Sequence, residues 1–227
     1  MYSSDANLLL DHAYLPLETG WQRLENGQAL VAARTHLPGC TGEMIKWWFG
    51  FVHHTEEYLW WHPRDHVWSD WDGERGTGNY IGGAHLVHEY IGVELYKLRI
   101  FWEEPSTYLD TSRFAQVKVS AVICGKIGDL DSPKESPMWL GKIMHLIQET
   151  EDGCVMRSRF WLGELEGMGV PVTPELRREI ASDALAEGLL QHCCEEMSLL
   201  GTFLPKVFEM YQRPGKFGNA HALPYGR

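Results

Sequence analysis

From Thr173 to about Met210 the chain keeps one helical recurrence of apolar residues, and this element constrains the rest most strongly. Thr173 is placed to cap it, Pro174 suits the first helical position, and Glu175 puts a negative charge in the first turn. Pro205 falls inside the pattern and should kink or locally break the helix, because it has no N–H to donate. A helix this long with an apolar stripe needs a broad apolar surface to lie on. The segments ahead of it can supply one. His85 to Trp102 and Phe114 to Ile127 are strand-like, rich in Val, Ile and Tyr. Residues 138–163 read as two strands joined at Asp152-Gly153, and Asn26-Gly27 within WQRLENGQALVAAR signals a two-residue type I′ hairpin. Strands followed by one long helix define an α+β fold, a curved antiparallel sheet around the helix with a ligand-sized cavity between them.

Residues 1–227 are expected to form a single domain, with 1–40 a lead-in carrying the first hairpin. No repeat, linker or low-complexity tract divides the chain. Thr41 should cap a helix through EMIKWWFGFV, with Met44, Trp47, Trp48 and Phe51 as its apolar stripe, while Pro63 interrupts regular structure in YLWWHPRDHVWSDW. A net charge of −11 argues against nucleic acid and anionic membranes as partners, since both demand clustered Lys and Arg. Five Cys without a paired spacing, and an amino terminus with no basic segment before its short Leu run, point to a cytoplasmic protein.

Ten Trp and eleven His make the chemistry-bearing positions stand out. His192 and Glu196 lie four apart on the long helix and so on one face, able to share a metal ion or to be an ordinary solvent-facing pair. In HPRDH, His62 and His66 sit among Trp60, Trp61, Trp68 and Trp71. They are either ligands or, with Asp65, the fasteners of a turn. Strand alternation puts His85, Val87 and Glu89 on one face, where a buried carboxylate needs a metal or an Arg or Lys. With Asp152-Gly153 as the turn, His145 stands opposite Phe160 on the apolar face shared by Ile147 and Ser158. Arg157 and Arg159 then point to the other face. His145 is there either a satisfied core histidine or a pocket acid–base.

In order along the chain, TGEMIKWWFGF, YLWWHPRDHVW, HEYIG, HLIQETEDGCVMRSRFWLG and HCCEE resemble the 2,4-diacetylphloroglucinol hydrolase and phloretin hydrolase family of carbon–carbon bond hydrolases. That resemblance implies a Bet v 1-like helix-grip fold. It also implies a zinc ion, or another divalent metal, held by His66, Glu89, His192 and Glu196, with Glu94 the alternative to Glu89. Tyr58 matches a family active-site tyrosine and His145 a histidine that acts on the substrate. Two positions depart from the pattern: Phe160 stands where a catalytic Tyr is expected, and Ser69 where an Asn is. Diacetylphloroglucinol itself is therefore not the expected substrate.

The implied reaction is hydrolysis of an acyl group from a phenolic or polyketide-like ring, with a small aromatic ketone as substrate. Trp48, Trp61 and Phe160 would offer it flat surfaces. A non-hydrolytic cyclase or isomerase, or a small-aromatic binding protein, is the alternative on the same scaffold. A homodimer is compatible with the sequence.

Overall fold

Six consecutive strands form a meander in the computed structural model, which describes residues 1–11 and 13–212. The strands are β1 (Gly20–Arg23), β2 (Ala29–Pro38), β3 (His66–Asp72), β4 (Ala84–Ile91), β5 (Glu94–Glu103), β6 (Val119–Asp129), β7 (Trp139–Glu149) and β8 (Gly153–Glu166). They make one eight-stranded antiparallel sheet in the order β1-β2-β8-β7-β6-β5-β4-β3, so the first hairpin closes against the last strand. The helices are α1 (Gly42–Phe51), α2 (Thr55–Trp61), α3 (Pro174–Ile180) and α4 (Asp183–Gln212). The curved sheet wraps the thirty-residue α4, giving the α+β helix-grip architecture.

Both faces of the sheet are covered. On the inner face Ile45, Trp48 and Phe49 of α1 meet Met197, Leu200 and Leu204 of α4, over Val31, Ile123 and Ile147 of the sheet. On the outer face a 3₁₀ segment, Ser3–Leu10, buries Ala6, Leu9 and Leu10 against Leu30, Met144 and Trp161. Each large apolar side chain so buried contributes roughly 1.5–3 kcal/mol.

Several expectations change in detail. Asn26-Gly27 does not form a two-residue turn. Leu24 donates to the Gln28 carbonyl at 2.8 Å, leaving a three-residue loop in which Gly27 alone takes a positive φ of 91°. The β7–β8 turn lies one residue earlier than Asp152-Gly153 put it, which shifts the pairing by two: Glu149 pairs with Cys154, and His145 faces Ser158 rather than Phe160. A shift of two preserves every side chain's face, so Arg157 and Arg159 still point outward. The buried edge of α1 is Ile45, Trp48 and Phe49, with Met44, Trp47 and Phe51 only partly covered. Pro63 interrupts regular structure as expected, in the turn between α2 and β3. The strand expected from Phe114 begins only at Val119, after a 3₁₀ turn over Thr111–Val117.

The single carboxy-terminal element is two helices. Thr173 caps α3, Ser182 Oγ accepts from the Leu185 amide at 3.1 Å to start α4, and Arg23 takes the Ala181 carbonyl at the break. Conversely, α4 runs through Pro205 unbroken. The Gly201 carbonyl, which Pro205 cannot satisfy, lies 3.9 Å from the Cys40 thiol. Gly188 lets α4 approach the β4–β5 turn: a Cβ there would stand 3.0 Å from the Gly92 nitrogen.

Candidate metal centre and cavity

Strand register makes the first half of the site. His66 on β3 and Glu89 on β4 are direct partners across the ladder, and the bulge following His66 marks where regular pairing resumes at Trp68. The i, i+4 spacing on α4 makes the second half, His192 and Glu196. The four meet where the β3–β4 end of the sheet faces the helix. His66 Nε2 lies 3.9 Å from Glu89 Oε2 and 3.5 Å from Glu196 Oε2, and His192 Nε2 lies 4.0 and 3.8 Å from the same two atoms. His66, Glu89 and His192 offer ligand atoms all within 4.8 Å of one another, which suits one shared ion.

Each imidazole has its far nitrogen occupied. His66 Nδ1 is 2.8 Å from the Tyr58 carbonyl, and His192 Nδ1 is 3.3 Å from Asp65 Oδ2. That arrangement leaves the Nε2 lone pairs turned inward, and His66 Nε2 is buried with no hydrogen-bond partner. A buried, unpartnered nitrogen beside two carboxylates is costly unless a cation joins them. The donor set fits a divalent metal.

Burial also governs the charges. It holds Glu196 above the ordinary carboxylate range and pushes His66 down to about 4. His192 goes the other way, because Glu196, Glu89 and Asp65 outweigh its burial. The Tyr58 ring stacks on His66 at 3.6 Å, and its hydroxyl donates to Glu89. Burial and the Glu89 charge both raise the Tyr58 hydroxyl well above its usual value, so it remains a neutral donor.

A cavity of about 220 Å³ opens from this cluster. Its walls are aromatic at Phe49, Trp61 and Phe160, and aliphatic toward Leu98, Ile127, Leu162 and Leu185. His145 lines it, its Nδ1 2.7 Å from Ser158 Oγ and its ring edge-on to Phe160. Burial lowers His145 to about 3, leaving it neutral at physiological pH.

Not every expected side chain reaches this space. Trp48 is packed against Trp61 and Phe203 outside the lining, and its neighbour Phe49 provides the wall instead. Ser69 is also behind the wall, 2.7 Å from Nε2 of His85, which does line the cavity. Glu94 is exposed, away from the cluster. Strand alternation puts His85 on the face of Glu89, and that shared face is the sequence signal for its place in the lining. The two accounts of HPRDH apply to different residues: His66 joins the donor cluster, while His62 Nδ1 accepts from the Asp65 amide and fastens the turn.

Fold and site together define a helix-grip protein whose cavity ends in a cluster of metal-ligand-type side chains. The chain belongs to the DAPG hydrolase PhiG domain family, whose model matches residues 2–209. It is 28% identical to 2,4-diacetylphloroglucinol hydrolase of Pseudomonas protegens, over 92% of this chain and 74% of that protein. It is 26% identical to phloretin hydrolase of Eubacterium ramulus, over 81% and 68%. Among solved structures it resembles protein Ms6760 of Mycobacterium smegmatis (TM-score 0.46, 11% identity, 83% of this chain and 98% of that one). Ginseng major latex-like protein 151 from Panax ginseng also resembles it (TM-score 0.39, 11% identity, 73% and 97%).

Proposed function

We propose that this chain is a divalent-metal-dependent hydrolase, with zinc the expected metal, that cleaves the carbon–carbon bond between an acyl group and a phenolic ring. The observation carrying this reading is the meeting of His66, Glu89, His192 and Glu196 at the wall of a largely apolar cavity, with His66 Nε2 buried and unpartnered. Membership of the family supports the reaction class.

In the overall change, water adds hydroxyl to the carbonyl carbon and a proton to the ring carbon, giving a carboxylic acid and the deacylated phenol. A bound divalent metal supplies Lewis-acid polarisation of the ketone or a more acidic water. The chain's own residues account for position and proton. Phe49, Trp61 and Phe160 hold a flat ring away from water. The ring carbon is a poor leaving group as a bare carbanion, so it has to be protonated first, giving the keto tautomer, whose ring carbonyl takes up the electron pair when the bond breaks. Tyr58 keeps a proton beside Glu89, and His145 presents a neutral imidazole fixed by Ser158; these are the groups assigned to that transfer. With Phe160 carrying no hydroxyl, the substrate is an aromatic ketone other than diacetylphloroglucinol.

Protein expressed with zinc and purified without chelator should hold about one equivalent of metal and release free acid from acylated phenols. His192→Ala should lose both. Less than about half an equivalent in the wild-type protein, or turnover that persists after the metal is stripped, would overturn the reading.

A further inference from the structure

The turn that delivers His66 also reaches across to α4 and takes hold of His192. Asp65, one residue before His66, places Oδ2 3.3 Å from His192 Nδ1. Its carboxylate is itself fixed: Arg64 Nε donates to Oδ1 at 2.8 Å, and an Arg64 terminal nitrogen donates to Oδ2 at 3.0 Å. That same terminal nitrogen donates to Glu195, one helical turn beyond His192. On the other side the Asp65 amide donates to His62 Nδ1 at 3.1 Å, and the Asp65 carbonyl accepts from the Tyr90 amide at 2.8 Å. Asp65 is thereby held by its side chain, its amide and its carbonyl at once.

We infer that Asp65, held by Arg64, which Glu195 anchors in turn, is a positioning residue that sets the tautomer and orientation of His192 for metal binding. An acceptor at Nδ1 keeps the His192 proton on that nitrogen and leaves the Nε2 lone pair facing Glu89 and Glu196. A carboxylate in that place also makes the imidazole a stronger donor than a carbonyl would. His66 has the neutral version of the same device, the Tyr58 carbonyl, so its partner comes from its own segment. His192 has no such partner on its own helix and takes one from the β3 side. The clamp therefore ties the two halves of the site together across the gap between sheet and helix.

A competing role for these groups is a second cation site, since His62, Asp65 and His192 also lie within 4.8 Å of one another and His62 Nε2 is unpartnered. Arg64 already sits between Asp65 and Glu195 as the neutralising cation, which favours the positioning role.

This inference rests on the metal-dependent reading above, and its test separates the two. Wild-type, Asp65→Ala, Asp65→Asn and Arg64→Ala proteins are titrated metal-free with Co²⁺, followed by its visible absorption, and with Zn²⁺ in competition with a chromophoric chelator. Asp65→Ala should bind about 10- to 100-fold more weakly and change the Co²⁺ spectrum. Asp65→Asn, which keeps an acceptor, should fall between Asp65→Ala and wild type, and Arg64→Ala should lose less than Asp65→Ala. Thermal melting of the metal-free proteins identifies the temperature at which all are folded, so that the affinities compare native states. Wild-type affinity and spectrum in Asp65→Ala would overturn the positioning role while leaving the metal reading intact. Failure of the wild-type protein to bind either ion would overturn both. A second equivalent of metal bound by wild type and lost in His62→Ala would overturn the role in favour of the competing site.

Discussion

Phe160 occupies the one wall position where the missing hydroxyl is chemically conspicuous. It is buried, it lines the cavity, and it stands edge-on to His145 with ring centroids 5.8 Å apart. Phe160→Tyr adds a donor within reach of the group assigned to proton transfer. Turnover of diacetylphloroglucinol should rise by about tenfold or more, equivalent to about 1.4 kcal/mol of barrier. Steady-state kcat/KM on paired acylphenols checks this, and no gain would remove Phe160 as the specificity switch. Ser69 acts at one remove, through its hydrogen bond to His85. Burial lowers His85 to about 3, so its ring is neutral and needs a hydrogen-bond partner rather than a counter-charge. Ser69→Ala leaves that nitrogen buried and unpaired, at a cost of about 1–3 kcal/mol. For a domain of this size the midpoint should fall by roughly 2–4 °C per kcal/mol, measurable by thermal denaturation. An unchanged midpoint would mean that the His85–Ser69 bond is not made in solution.

Among the elements, the approach of α4 to the β4–β5 turn is the contact on which the cluster's closure depends. Gly188 lies one turn ahead of His192, against Gly92 and the Ile91 carbonyl carbon, at 3.0–3.3 Å from a notional Cβ. Gly188→Val forces the helix and the strand turn apart and should destabilise the protein by about 1–3 kcal/mol, read from denaturant unfolding. If stability is unchanged, helix and turn are not in contact as described. The sequence made the helix and the strands legible because their periods are intrinsic to the backbone. It did not reveal this contact, because a glycine's role depends on what lies opposite in space. Register was legible only in parity. The Asp152-Gly153 signal misplaced the β7–β8 turn by one residue and the pairing by two, yet His145 and Ser158 remained on the inner face because alternation survives an even shift. The site was divided in the same way. Spacing paired His192 with Glu196, whereas joining them to His66 and Glu89 required a family resemblance, since no local pattern encodes a helix meeting a ladder. The sequence places Asp65 in a turn but carries no sign of its reach to His192, because hydrogen bonds between distant segments leave no periodic trace.

At the scale of the whole molecule, the outer layer bears on stability most directly. Arg157 and Arg159 point outward from β8, and their side chains are 1% and 0% exposed. Both donate to Glu18: Arg157 at 2.6 and 3.0 Å, and Arg159 at 2.9 Å. Arg157 also holds the Leu9 carbonyl at 2.8 Å, so the lead-in segment is fastened to the sheet by charge as well as by Leu9 and Leu10. Burial alone would raise the Glu18 carboxyl, but the hydrogen bonds and charge of the two guanidinium groups outweigh it and hold the group below its ordinary value. A depressed carboxylate contributes stability that is fully present above its unfolded pKa, about 4.3. That contribution is lost as pH falls through the folded value. Glu18→Gln strands two buried cations, and at neutral pH should cost about 3–5 kcal/mol. The difference from wild type should then narrow steadily below about pH 4, as protonation removes the same charge from the wild-type protein. Denaturant unfolding of both proteins across the acid range tests this: a gap of constant size would show that Glu18 acts through shape and neutral hydrogen bonds. A closing gap would assign the attachment of the lead-in to the ion pairs.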